Sequence, residues 1–485
     1  MDNSDCSDNH TVNSTSESER IKRLAEELSF CSADDVVEHT LEKSAAMRGK
    51  FDVDALSPPQ GESHGHRSDD EYNALVYVYD EPRTESRDGE LSGMTFAIKD
   101  SIAVRDLPMT CGLEDHAYVP SFDAPVVERL LDAGGTITGK ANMYALGVGK
   151  VSELGRVRNA IDRNRVPGGS SSGSAVAVAS GLVDASIGAD AGGSVRIPAA
   201  FNGLVGMKPS PGTIPGYGSV STMNTLGTKG PITRTVTACA HVFDAISGPD
   251  HRDPDSYGRN ISIDVDTLDR ERSFDVGLPQ SFFAESDDDV RDRVTDVARE
   301  LERETDCEVV DVELDNELSF LPPYFSGPEL TWIIKHHGVN YGGGAAFDPV
   351  SHHFLEKLQN DGFNKIITKK KLPHSYLDDQ TEGKLYAAAK RMMMEYRREV
   401  EGVFEDVDLL LSPTTPMLPP EVAPDLDDEP STSGNTRPFN LAGTPAVTVP
   451  VGRVDGLPVG AQIAAPAYED ERALAGARMI ERLRR

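Results

Sequence analysis

Residues 166–199 read VPGGSSSGSAVAVASGLVDASIGADAGGSVRIPA. Two glycine–serine clusters, 168–174 and 191–194, flank a short apolar segment made only of Ala and Val, Ala175 to Ala179. Such small side chains suit an element packed tightly inside a core, which argues against reading the serine run as a flexible linker. Glycine allows positive φ and a close approach of backbone to a ligand. Successive free N–H groups ahead of a serine hydroxyl can form an oxyanion hole at the nucleophile itself. The candidate nucleophile is therefore Ser194, and the candidate donors are the amides of Ala191, Gly192, Gly193 and Ser194.

A serine hydroxyl needs a base to take its proton. The twelve histidines lie mostly in linker-like or charge-rich stretches, such as His64, His66, His336-His337 and His352-His353. No GxSxG elbow accompanies them, which disfavours an α/β-hydrolase triad. An apolar strand, Met94 to Ile98, ends instead on Lys99-Asp100. Gly147-Val148-Gly149-Lys150 lacks the earlier glycine and the following Ser/Thr of a P-loop, so no nucleotide site is expected.

In this pattern the chain resembles the amidase signature family. Ser170 precedes Ser194 by 24 residues, the family spacing, and Gly192 to Ala199 reads like its GGS-[IV]-R-x-P-[AS] run. Lys99-Asp100 matches its K-D motif, and the likeness continues through Asp408–Pro416 and Asn440–Ala446. Ser172 stands where the family has glycine, and Ala191 where Thr or Ile is common; neither change removes a catalytic atom. The resemblance implies that Lys99 is the base, that Ser170 relays the proton from a cis peptide, and that Ser194 attacks the amide carbonyl. It implies a Ser-Ser-Lys triad working through an acyl-enzyme, with no metal and no cofactor. Ser171, Asp190 and Arg196 are expected to hold the loop rather than react.

The implied activity is hydrolysis of a carboxylic acid amide to carboxylate and ammonia or amine. One alternative is the glutaminase (A) subunit of a glutamyl/aspartyl-tRNA amidotransferase, which would need partner subunits. Another is an inactive binding scaffold on the same fold, which the intact Lys99, Ser170 and Ser194 argue against.

The organisation reads as an acidic disordered tail over 1–19, a helical module over 20–56, a linker over 57–72 and a catalytic domain over 73–485. The span of about 250–400 is richer in charge and, by the resemblance, shapes the substrate pocket. Helices are expected at Glu19–Phe30, Asp34–Met47, from a cap at Asp123 to Gly134, at Asp287–Glu302, Thr381–Val403 and Asp470–Arg484. Strands are expected at Met94–Lys99, Thr136–Gly139, Ser186–Ala189, Asp406–Leu411, Ala446–Pro450 and Val459–Ala464. Their alternation predicts an α/β domain, a mixed sheet covered by helices on both faces.

The 485 residues hold 48 Lys+Arg against 80 Asp+Glu, a net charge of −32. Such a field repels nucleic acid and anionic membranes, so neither is an expected direct partner. The acid excess is spread along the chain, which we read as adaptation to high salt. Five cysteines without a CxxC pair fit a reducing cytoplasm. The expected partner is a small-molecule amide. Oligomeric state is not legible, and a homodimer stays open.

Overall fold

The computed structural model describes residues 16–30, 32–48, 60–114, 116–148, 150–258, 261–270, 272–336, 365–425 and 428–484. The chain divides into two units, Met1–Pro58 and Pro59–Arg485. In the first, α1 (Glu17–Glu27) begins two residues earlier than expected. The reason is a capping box. The Glu19 amide donates to Ser16 Oγ, and the Ser16 amide donates back to Glu19 Oε2 at 3.0 Å. It packs on α2 (Asp34–Arg48), burying Ala25 and Val37. The tail expected over 1–19 lies outside the described residues as far as position 15.

The second unit opens with β1 (Gly65–Arg67), β2 (Leu75–Arg83), β3 (Thr95–Lys99), α3 (Pro125–Asp132) and β4 (Thr136–Ala141). The glycine–serine stretch supplies α4 (Ser172–Ala179), β5 (Ala185–Asp190) and α5 (Arg196–Phe201). Then come β6 (Val205–Lys208), β7 (Thr228–Thr233), α6 (Val236–Ile246), β8 (Asp275–Pro279), α7 (Gln280–Ala284), α8 (Asp288–Glu304) and β9 (Glu308–Val312). The charge-rich region supplies α9 (Pro322–Lys335), α10 (Lys365–Gln380) and α11 (Lys384–Val403); residues 337–364 within it lie outside the described residues. The chain closes with β10 (Leu409–Pro413), α12 (Arg437–Ala442), β11 (Ala446–Val454), β12 (Leu457–Ala464) and α13 (Asp470–Leu483).

The twelve strands among the described residues join one mixed sheet, in the order β1-β2-β4-β3-β5-β7-β6-β11-β12-β10-β8-β9. β3 runs parallel to both β4 and β5, and β8 runs parallel to both β9 and β10. Alternation along β3 sorts its side chains by face. Phe96 and Ile98 join a cluster with Val126, Val127, Leu130 and Leu131 of α3 and Phe243 of α6. Ala97 joins the opposite cluster, with Ala175 to Val178 of α4. Two residues on from Ala97, Lys99 therefore falls on the α4 side.

Two expectations change. The stretch expected as a linker contains β1, which pairs antiparallel with β2 as an edge strand. Gly65 lies so close to β2 that a Cβ there would sit 2.4 Å from the Val78 carbonyl oxygen. Linker-like composition does not report which backbone groups find partners. Asp123 does not cap α3, whose N-cap is Ala124. Its carboxylate is engaged by the guanidinium groups of Arg83 and Arg105, with Oδ2 at 2.8 and 3.0 Å, and charged donors outcompete a helix-end amide.

Candidate active site

The two glycine–serine clusters come together because α4 lies directly on the sheet. Its side chains are small for a physical reason: a Cβ on Gly173 would sit 2.2 Å from the Ala74 carbonyl oxygen. Ser172 opens this helix, so the family glycine it replaces is not needed for positive φ. Gly169 is needed as glycine, since a Cβ there would come within 2.2 Å of the Tyr144 ring. The Gly169–Ser170 peptide bond is cis.

Lys99 is 2 % exposed, and its Nζ lies 2.8 Å from Ser170 Oγ, 2.9 Å from Ser171 Oγ and 3.3 Å from the Ala189 carbonyl oxygen. Burial lowers its pKa to about 7, against the opposing pull of the Asp190 charge. An amine that titrates there is neutral in a large fraction of molecules near pH 7, and its lone pair can then accept the Ser170 proton. Ser171 Oγ also accepts from the Ala189 amide at 3.2 Å and donates to the Ala189 carbonyl at 3.3 Å. It ties the lysine, α4 and β5 together, more than the backbone role expected of it.

Ser194 lies in the turn after β5 and lines a cavity of about 560 Å³ that Lys99, Ser170, Ala191 and Gly192 also line. The Ser171 amide donates to the Ser194 carbonyl at 3.2 Å, joining the two clusters. Of the four expected oxyanion donors, Gly193 is turned away. Its amide donates to Asp190 Oδ1 at 2.7 Å, and Gly193 is not among the residues lining the cavity. Ala191, Gly192 and Ser194 do line the cavity.

Asp190 and Arg196 are both fully buried and hold this turn. Arg196 Nε donates to Asp190 Oδ2 at 3.0 Å and Nη2 to Oδ1 at 3.1 Å, while the Val195 amide adds a bond at 3.2 Å. Burial alone would raise the Asp190 pKa. The Arg196 charge and hydrogen bonds from Arg196 and Asn440 win, and hold it well below the usual carboxylate range. Asn440 donates to Asp190 Oδ1 at 2.9 Å and accepts from Arg196 Nη2 at 2.6 Å, and Gln462 Oε1 accepts from Arg196 Nη1 at 3.1 Å.

Sequence reasoning did not single out Lys208, Thr436, Arg437 or Gln462. Lys208 ends β6, and its Nζ donates to the Pro209 carbonyl at 3.0 Å; burial, then the Arg196 charge, lowers it to about 7. Thr436 donates to the Gly192 carbonyl at 2.8 Å. Its position four residues before Asn440, in a motif already recognised, was the available signal. The charge-rich region contributes Pro322, Ser326, Lys371 and His374 to the cavity wall.

A family model described as Amidase matches residues 70–474. The glutamyl-tRNA(Gln) amidotransferase A-subunit of Halobacterium salinarum is 38% identical over 413 residues, covering 81% of this chain and 96% of that protein. Among solved structures, the glutamyl-tRNA(Gln) amidotransferase A-subunit of Thermotoga maritima aligns at 28% identity with a TM-score of 0.67, over 85% of this chain and 87% of that one. A structure described as an amidase aligns at 26% identity and a TM-score of 0.67, over 96% of this chain and 99% of that one.

Proposed function

This chain belongs to the amidase signature family, hydrolases of carbon–nitrogen bonds, and on that premise we propose that it cleaves a carboxamide through an ester on Ser194, with Lys99 as base and Ser170 as the proton carrier between them. The observation that carries the reading is the buried Lys99 amine, within hydrogen-bond distance of Ser170 Oγ on the wall that Ser194 shares. Ser194 Oγ attacks the carbonyl carbon, and its proton passes through Ser170 to Lys99. The developing oxyanion is met by the amides of Ala191, Gly192 and Ser194. When the C–N bond breaks, the proton returns to the leaving nitrogen, which departs as ammonia or an amine. Water then opens the ester by the same route and frees the carboxylate. Every proton taken from Ser194 or water is given back, so the lysine ends as it began.

Glutamine as the amide, within an amidotransferase, is favoured by the relatives, of which the one from Halobacterium salinarum aligns over nearly its whole length. A self-sufficient amidase is supported by the alignment to the solved amidase, which extends over 96% of this chain, against 85% for the Thermotoga maritima protein. Ammonia release by the purified chain separates them. A chain acting alone turns over simple amides. A glutaminase subunit responds to glutamine, and only once partner subunits are added. Absence of any Ser194-dependent acyl transfer to hydroxylamine, with or without partners, rules out both.

A further inference from the structure

The chain as a whole is strongly acidic, yet its cavity is not. Seven lysine or arginine residues line it against two carboxylates, Asp190 and Glu429. Both carboxylates are committed to arginines outside that lining: Asp190 to Arg196, and Glu429 Oε1 to Arg156 at 3.1 Å. Arg437 differs from the other arginines of the site. It is half-buried on the cavity wall, and no carboxylate pairs with it among the described residues. Its one side-chain hydrogen bond there runs from Nη1 to the Ser319 carbonyl at 3.0 Å. Burial alone acts on its pKa, downward, with no neighbouring charge to offset it. It stands beside the reacting turn: a Cβ on Gly192 would lie 3.5 Å from Arg437 Cγ, and neighbouring Thr436 holds the Gly192 carbonyl.

A guanidinium removed from water without a counter-charge is costly, and a bound anion relieves that cost. Its planar donors match a carboxylate. We propose that the substrate is an amide carrying a carboxylate, and that Arg437 is the residue that binds this group while the amide faces Ser194. The inference rests on the hydrolysis proposed above, but not on which of its two readings holds. A glutamine and a half-amide of a dicarboxylic acid both carry the required group.

The test uses the purified full chain, with partner subunits added where the chain alone is silent, and three amides of equal length: pentanamide, 4-carbamoylbutanoate and glutamine. Ammonia release should give kcat/KM for 4-carbamoylbutanoate at least about tenfold above pentanamide, mostly through KM, as expected for a charged hydrogen bond. In Arg437→Gln that ratio should collapse toward one, and Arg437→Lys should keep part of it. The second measurement is binding of the products glutarate and pentanoate to the unmutated chain by calorimetry. It needs neither turnover nor a folded variant, and glutarate should bind about tenfold or more tightly. A ratio at or below one in the unmutated chain, a ratio that Arg437→Gln leaves unmoved, or equal binding of the two products overturns the proposal. Those outcomes leave amide hydrolysis standing. Failure of hydrolysis itself shows as no ammonia from any of the three amides and no Ser194-dependent hydroxamate, with or without partner subunits, and the binding comparison still decides the role of Arg437.

Discussion

Asp190 and Arg196, six residues apart in sequence, form a fully buried ion pair at 3.0 Å, and the turn they close carries Ser194. The pair is a clamp on the backbone of the proposed nucleophile. Asp190 takes the Gly193 amide, Arg196 reaches Asn440 and Gln462, and Ala191, Gly192 and Ser194 of the turn line the cavity.

Breaking that clamp from one side should be costly. Asp190→Asn strips the charge that Arg196 is buried against, and we expect a loss of about 3–5 kcal/mol in denaturant unfolding. The Asp190 pKa is depressed in the folded state. Its stabilisation is therefore present above the unfolded value of about 3.9 and is lost only as pH falls through the lower folded value. Between pH 5 and 8 the pair should add no pH dependence to stability. A melting temperature for Asp190→Asn within 2 °C of the parent would contradict this role.

Activity should rise with pH through about 7, as Lys99 gives up its proton. Lys99→Ala should lower kcat by about 10²–10⁴-fold with the fold retained. Lys99→Arg, which keeps its proton over the accessible range, should remove the rising limb rather than shift it. A pH profile of kcat/KM with the limb unchanged in Lys99→Arg would assign that limb to another group.

Ser194→Ala should abolish transfer of the acyl group to hydroxylamine. Ser170→Ala should slow both acylation and deacylation, because the relay is interrupted while the nucleophile remains. Hydroxamate made by Ser194→Ala at the parental rate would show that Ser194 is not the nucleophile.

Gly193 has φ +116°, and a Cβ there would lie 2.2 Å from Thr436 Oγ1. Gly193→Ala must displace either the turn or Thr436, which holds the Gly192 carbonyl. We expect about 1–3 kcal/mol of lost stability together with a fall in kcat. Full activity in this variant would mean that the turn tolerates a shift at Gly192.

The net charge of −32 sets a salt prediction. At 0.01 M ionic strength the screening length is about 30 Å and like charges repel across much of the surface; at 1 M it is about 3 Å. The melting temperature and activity should both climb toward molar KCl. A flat or falling melting temperature over that range would refute adaptation to salt.

The sequence by itself determined the strand that ends on Lys99, the strand that leads into the Ser194 turn, a tightly packed small-residue element between the serine clusters, and the candidates Lys99, Ser170 and Ser194. The elements follow from local apolar patterning, and the three candidates from the resemblance of their motifs and spacing to the amidase signature family. The first helix was legible from its apolar spacing, but its start was placed two residues late because the Ser16–Glu19 capping box was not read from the sequence. Tertiary structure alone decided that, of four consecutive candidate donors, the Gly193 amide is taken by the Asp190 carboxylate and Gly193 does not line the cavity. It alone decided that Asp123 serves Arg83 and Arg105 rather than a helix end, and that residues 65–67 pair with a strand. Lys99 shows the division most clearly. Its place at a strand end is legible in the sequence, but its pKa of about 7 comes from α4 and β5 closing over it and excluding water. Arg437 is marked by its lack of a carboxylate partner among the described residues, and pairing across hundreds of residues is set by packing rather than by local pattern.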